Sequence, residues 1–203
     1  MINKRPLSYS AISSFEYDKE QWYKKYILGE KLKETPELKF GKVFAKSCED
    51  RCPLAPVTLL DKMEHKFSVV FDDIPLVGFA DTWDDKTHLE GGEYKTGVQI
   101  WNQKRVDEHE QITIYLLMNY ITHKINPDSV RYFLEWVPTK KIERSNGDFS
   151  GEDYEIAFVT PITVRRFETK RTMTDILRYG AKIKRIVKEM EDYVNLRKTY
   201  ASV

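Results

Sequence analysis

Apolar positions recur along the chain with two different periods, and the changes of period mark out its elements. In residues 8–29, Ile12, Phe15, Trp22, Tyr26 and Ile27 follow roughly helical spacing, which predicts a first helix capped by Ser8 or Ser10 and stopped at Gly29. After Pro36, FGKVFAKSCED sets Val43, Phe44 and Cys48 on or near one face of a short helix over about 42–51, ended by Pro53. A loop with one short helical turn is expected up to Glu64. The period then drops to two. HKFSVVFDDIPLVGFADTW reads as two strands of a hairpin turning at Asp72-Asp73. Asp84-Asp85-Lys86 makes a second turn, and 88–95 returns as a third strand, broken or bulged at Gly91-Gly92.

Helical spacing resumes over 107–123 through Ile112, Tyr115, Leu116, Asn119 and Tyr120, and Asn126-Pro127 ends it. VRYFLEWVP alternates within a strand over 129–141, Ser145-Asn146-Gly147-Asp148 is a hairpin turn, and 154–160 is the partner strand. Thr163 then caps one long amphipathic helix, or two abutting near Gly180, reaching about residue 200. Strands and helices in this succession, without repeat or linker, predict an α+β chain folded as one domain over 1–203.

Composition narrows the classes of function. At 203 residues, 41% of them hydrophobic and 13% aromatic, the chain can bury a sizeable core and lacks the signature of long disorder. Thirty-three basic and 32 acidic residues nearly cancel, to a formal charge of +1, so a nucleic-acid partner has to be sought in how charge is distributed. The richest basic stretch is 163–200, with eleven Lys/Arg against five Asp/Glu. It is either a solvated helix face or one wall of a DNA channel. Lys19, Lys24, Lys25, Lys31 and Lys33, interleaved with Trp22 and Tyr23, pose the same alternative. Cys48 and Cys52 are the only cysteines, too few for an all-cysteine zinc site or an iron–sulfur cluster, and read as reduced thiols. No apolar run approaches the roughly 20 residues that span a bilayer, and no signal-peptide core is visible. A soluble, cytoplasmic protein with no membrane partner is the expectation.

Candidate chemistry gathers in the hairpin and in the strand and helix after it. Asp81 precedes the triplet Glu93-Tyr94-Lys95 by twelve residues, and the meander puts Asp81 and Glu93 on neighbouring strands, about 5 Å apart if directly paired. Alternation sends Glu93 and Lys95 to one side and Tyr94 to the other. A surface ion pair is the plain account of such a pair; two carboxylates and a lysine are also what a magnesium site for cutting phosphodiesters needs. Gln111 and Tyr115, one turn apart, share a helix face. Glu49 lies toward the polar side of its helix.

These residues, in this order, resemble a family. Gly78-Phe79-Ala80-Asp81, Glu93-Tyr94-Lys95-Thr96-Gly97, and Gln111 with Tyr115 are similar to the G-x-x-D, (D/E)-x-K-T-G and Q-x-x-x-Y motifs of the PD-(D/E)XK nucleases, in their RecB-like branch. LSYSAISSFEYDKEQWYKKYILGEK is similar to the opening helix of that branch, and FGKVFAKSCED to its G-x-x-x-H-x-x-x-E helix. The resemblance implies a restriction-endonuclease-like core, with a central mixed β-sheet flanked by helices in three layers. It implies Mg²⁺ or Mn²⁺ held by Asp81, Glu93, the Tyr94 carbonyl and Glu49, with Lys95 orienting water or stabilising the transition state and Gln111 and Tyr115 positioning Lys95 or a phosphate. It implies hydrolysis of linear or single-stranded DNA in recombination or repair, as an exonuclease, and admits a homo-oligomer or a recombination partner protein. The chain departs from the pattern at Ala45, where the family's helix commonly offers a histidine. That departure motivates the alternative of a nuclease-fold module that binds DNA or a partner without cutting.

Overall fold

The computed structural model describes residues 5–31, 33–143 and 154–200. Its centre is a mixed six-stranded sheet. Strands β1 (Lys62–Phe71) and β2 (Ile74–Trp83) form the expected antiparallel hairpin, with Asp72 and Asp73 at φ 45° and 63°, the left-handed values that a two-residue hairpin turn needs and that Asp tolerates. Strand β3 (Glu90–Gly97) meets β2 antiparallel at only two residue pairs, Thr82 with Gly92 and Trp83 with Gly91. It then runs parallel to β4 (Arg131–Glu143) for its whole length. The second half of β4 pairs antiparallel with β5 (Tyr154–Phe158), and the first half with β6 (Arg165–Thr169). Residues 132–137 of β4 are buried without interruption, as a strand covered on both faces must be.

Helices cover both faces. On one side lie α1 (Tyr9–Tyr17), α5 (Glu110–His123) and α6 (Met173–Tyr200), packed through Ile12, Phe15, Ile114, Met118, Ile183 and Ile186 onto Phe67, Leu76 and Leu134 of the sheet. On the other lies α3 (Pro36–Glu49), where Phe44 and Cys48 meet Tyr94, Phe133 and Val137. Full burial of side chains of this size is worth about 1.5–3 kcal/mol each, so both layers are held by apolar contact. The architecture is α+β with a long C-terminal helix, as expected. No helix among the described residues is long and apolar enough to cross a membrane, and Cys48 (buried) and Cys52 (exposed) are both free thiols.

Several boundaries differ from the sequence reading, each for a local reason. The first helix is interrupted at Asp18, which takes an extended conformation (φ −153°, ψ 100°) and caps the next segment by accepting from the Gln21 N–H at 2.9 Å. That segment is α2 (Lys19–Trp22), followed by a π-turn over Tyr23–Ile27. Helix α3 starts at Pro36, with Thr35 as its cap, rather than at 42. No helical turn forms between 53 and 61. Gly91 and Gly92 form no bulge: a Cβ at either would lie 2.3 Å from the ring of Trp83 or of Phe133, so they are glycines because aromatic rings lie against the strand.

The predicted 107–123 helix is two helices, α4 (Gln103–Asp107) and α5. Arg171, 4% exposed, closes the gap by donating to the carbonyls of Val106 and His109 at 3.1 and 3.2 Å and to Thr113 Oγ1 at 2.9 Å. Thr163 caps no helix. Residues 165–169 are β6, and α6 runs unbroken through Gly180 from Met173. The turn expected at 145–148 lies outside the described residues.

Candidate active site

The site lies where β2 and β3 part. Continuing the register past Thr82 and Gly92 brings Asp81 opposite Glu93, but no backbone rung forms there. Instead Asp81 Oδ2 accepts the Tyr94 N–H at 2.6 Å, so a side chain takes the place of the next strand contact. Glu93 is 1% exposed and Lys95 26%. Alternation puts both on the same side, and Lys95 Nζ donates to Glu93 Oε2 at 3.1 Å. Tyr94 points the other way, into the α3 layer, its hydroxyl donating to the Thr58 carbonyl at 2.5 Å.

Helix α5 supplies the opposite wall. Lys95 Nζ donates to Gln111 Oε1 at 2.9 Å, Gln111 Nε2 donates to the Tyr115 hydroxyl at 2.9 Å, and that hydroxyl donates to the Phe79 carbonyl at 2.6 Å. The chain of bonds fixes the orientation of the Gln111 amide and ends on an open edge of β2. It depends on Gly78, where a Cβ would lie 2.6 Å from both the Tyr115 ring and the Met118 methyl.

Burial and crowding set the charges. Glu93 is pushed up to about 8, first by burial and then by the charge of Asp81. Burial raises Asp81 as well, opposed by Lys95, the Tyr94 N–H and a hydrogen bond with Glu93. The two carboxyls therefore hold a proton between them at neutral pH, as carboxylates that cannot both ionise do. Burial works against the Lys95 charge, but Glu93 and Asp81 outweigh it and raise its pKa. His109, pushed down to about 4 by burial and then by Lys95, is neutral beside Gln111.

Around these groups is a cleft of ≈ 160 Å³ whose lining includes Asp81, Glu93, Lys95, Gln111, Glu49 and Ala45. Of the residues singled out from sequence, the structure brings together Asp81, Glu93, Lys95, Gln111 and Tyr115. Glu49 reaches the cleft wall, but its half-exposed carboxylate pairs with Lys46 at 3.1 Å. Sequence reasoning missed Glu64, which lines the same cleft. It falls opposite Asp81 in the β1–β2 register, between the pairs of Met63 and His65, with φ 49°. That is a rare conformation for a side chain other than Gly, Asn or Asp. Burial, then Asp81 and Glu49, raise its carboxyl. Nothing in the sequence signals it, since the strand pattern becomes legible only from His65.

Among the described residues no group of three or more His, Cys, Asp and Glu side chains forms a ready cation cage. The donor set still fits a hard divalent ion of the magnesium type, which takes one or two carboxylates and keeps several waters. Asp81 and Glu93 supply the carboxylates, and a cation between them would replace the shared proton.

Comparisons with known proteins bear on the fold. The structure superimposes on the crystal structure of a candidate exonuclease from Eubacterium rectale with a TM-score of 0.61, covering 94% of this chain and 83% of that one at 10% identity. The two share a fold. No protein-family model matches the sequence, and no curated protein is similar to it.

The basic C-terminal stretch looks different in three dimensions from its charge count. Lys182 is held by Glu110 at 2.6 Å and Glu16 at 2.9 Å, Arg185 by Glu189 at 2.6 Å, and Lys184 and Arg197 pair with Asp72 and Glu20. Lys182, Lys184 and Arg197 are thus answered by acids outside the stretch, from α1, α2, α5 and the hairpin turn, and Arg185 by Glu189 within it.

Proposed function

We propose that the protein is a Mg²⁺- or Mn²⁺-dependent nuclease that hydrolyses DNA phosphodiester bonds, acting as an exonuclease at ends or on single strands. The observation that carries this reading is the grouping of Asp81, Glu93 and Lys95 in one cleft, with Lys95 held in place by Gln111. The exonuclease-like fold of the Eubacterium rectale protein supports it. Asp81 and Glu93, with the Tyr94 carbonyl, would hold the ion, which when bound supplies an acidified water and charge neutralisation at the phosphate. Lys95 stays protonated, and the one N–H that it does not give to Glu93 or Gln111 would hold a phosphate oxygen or the attacking water. Gln111 and Tyr115 keep the ammonium from collapsing fully onto Glu93.

Incubation of end-labelled linear, single-stranded and closed circular DNA with Mn²⁺ is expected to show cleavage of open forms, abolished in Asp81→Ala and in Lys95→Ala. Intact DNA under every condition, or full rates in both variants, refutes the proposal. Two observations favour a second reading, a nuclease-fold module that binds without cutting: Ala45 lines the cleft in place of a histidine, and Glu49 is turned to Lys46. Calorimetric titration with Mn²⁺ separates the two, since a non-cutting module would show no binding that depends on Asp81 and Glu93.

A further inference from the structure

The hydrogen bonds around Gln111 have forced directions. The Phe79 carbonyl can only accept, so the Tyr115 hydroxyl gives it its single hydrogen, at 2.6 Å. The Tyr115 oxygen then accepts from Gln111 Nε2 at 2.9 Å, which turns Gln111 Oε1 toward Lys95, whose ammonium can only donate, at 2.9 Å. The same oxygen lies 3.2 Å from His109 Nε2. An amide oxygen has two lone pairs and no hydrogen, so His109 must carry its proton on Nε2 to fill the second. We infer that His109 is a positioning residue for Lys95, acting through Gln111; the inference rests on the nuclease reading for what Lys95 does, and extends the site to a side chain outside its motifs.

His109 is placed for this task rather than for its helix. It stands at the N-cap of α5, where a Ser, Thr, Asp or Asn side chain would accept from the first turn, yet its ring makes no such bond. Its own carbonyl accepts from Arg171 Nη2 at 3.2 Å. The imidazole makes T-shaped contacts with Tyr9 and Trp101, at centroid distances of 5.7 and 5.0 Å and interplanar angles of 81° and 73°. Arg105 in turn lies 3.9 Å over the Trp101 ring and donates to the Ile100 carbonyl at 3.2 Å.

These contacts fix the ring, and the ring fixes the plane of the Gln111 amide. Burial and then Lys95 push His109 down to about 4, so the donor brings no second positive charge up to the ammonium. A lysine or arginine in its place would donate as well but repel Lys95.

Two substitutions separate donation from packing. His109→Phe keeps a ring between Tyr9 and Trp101 but has no N–H, whereas His109→Gln gives up the ring and carries an N–H to a similar reach. With Mn²⁺ and a linear oligonucleotide, His109→Phe is expected to lower kcat about tenfold at nearly unchanged KM, as a displaced transition-state contact does, and His109→Gln to recover most of that loss. Full rate in His109→Phe, or a loss in His109→Gln at least as large, shows a packing role and overturns the inference. Heteronuclear NMR of the metal-free protein reads the same arrangement without any cleavage. The proton is expected on His109 Nε2 at neutral pH, with Gln111 side-chain amide protons that exchange about tenfold faster in His109→Phe than in wild type or His109→Gln. A proton on Nδ1, or equal exchange in all three, also overturns it. If wild type cuts no DNA while the NMR results hold, the nuclease reading falls and the positioning of Lys95 stands; if wild type cuts and the NMR results fail, the reverse is true.

Discussion

Raising the pH of the metal-free protein is expected to destabilise it, in a range where most proteins are near their most stable. In the folded state the Glu93 carboxyl keeps its proton up to about pH 8, against an ordinary 4.5. Between those values the folded chain binds a proton that the unfolded chain has released, so unfolding becomes easier as pH rises. At about 1.36 kcal/mol for each pH unit, the loss between pH 5 and 8 amounts to about 4 kcal/mol. This is a ceiling, because the proton is shared with Asp81. Urea unfolding in EDTA at half-unit steps from pH 5 to 8.5 measures it, with Glu93→Gln as the reference that cannot titrate. Wild type should lose stability relative to the variant over that range, by up to about 4 kcal/mol, and saturating Mn²⁺ should restore it by binding the folded state alone. If the wild-type and Glu93→Gln curves run parallel to within about 0.5 kcal/mol, well inside the one-proton slope, the carboxyls do not share a proton and the electrostatic account of the site is wrong.

Three further outcomes test how the site is supported. Glu135, 3% exposed, accepts the N–H and hydroxyl of Thr58, both at 2.7 Å; Glu135→Ala is expected to cost about 2–4 kcal/mol, read as a lower urea midpoint at an unchanged slope. Arg171→Met leaves the Val106 and His109 carbonyls without their buried donor and should cost about 3 kcal/mol or more, a fall of roughly 6–12 °C in Tm; a shift under about 2 °C would show that α4 and α5 hold their junction without it. Gly78→Ala forces Tyr115 aside and is expected to lose about 1–3 kcal/mol of stability together with Mn²⁺-dependent cleavage, whereas Gly41→Ala, whose Cβ would meet only Thr96 Oγ1 at 3.8 Å, should leave both nearly unchanged.

What could be read from sequence followed from local causes. Alternation through 67–83 with Asp72-Asp73 between gave the hairpin. The spacing of Glu93 and Lys95 gave their common side, and Gln111 with Tyr115 their common helix face. Features set by distant partners stayed hidden. Strand β6 reads RRFET, and its only half-buried apolar side chain is Phe167, too little alternation to tell it from the start of the basic helix. The gap between α4 and α5 depends on Arg171, more than sixty residues away. Helix α5 shows a weak period because Ile112 through Asn119 are all buried, packed by both the sheet and α6. Glu64 has no legible signal, since its position depends on a backbone twist that only the paired strand defines.

The two backbone pairs between β2 and β3 make the sheet a seamed object: a hairpin on one side, four strands on the other, and a narrow stitch between. Past that stitch Asp81 reaches across to the Tyr94 amide, and Tyr115 of α5 holds the unpaired β2 edge at the Phe79 carbonyl. Any ligand spanning Asp81 and Glu93 would add a fastening at the point where the backbone provides none. Filling the cleft is then expected to stiffen the sheet across its seam, a change that hydrogen exchange of the β2 and β3 amides with and without Mn²⁺ would read.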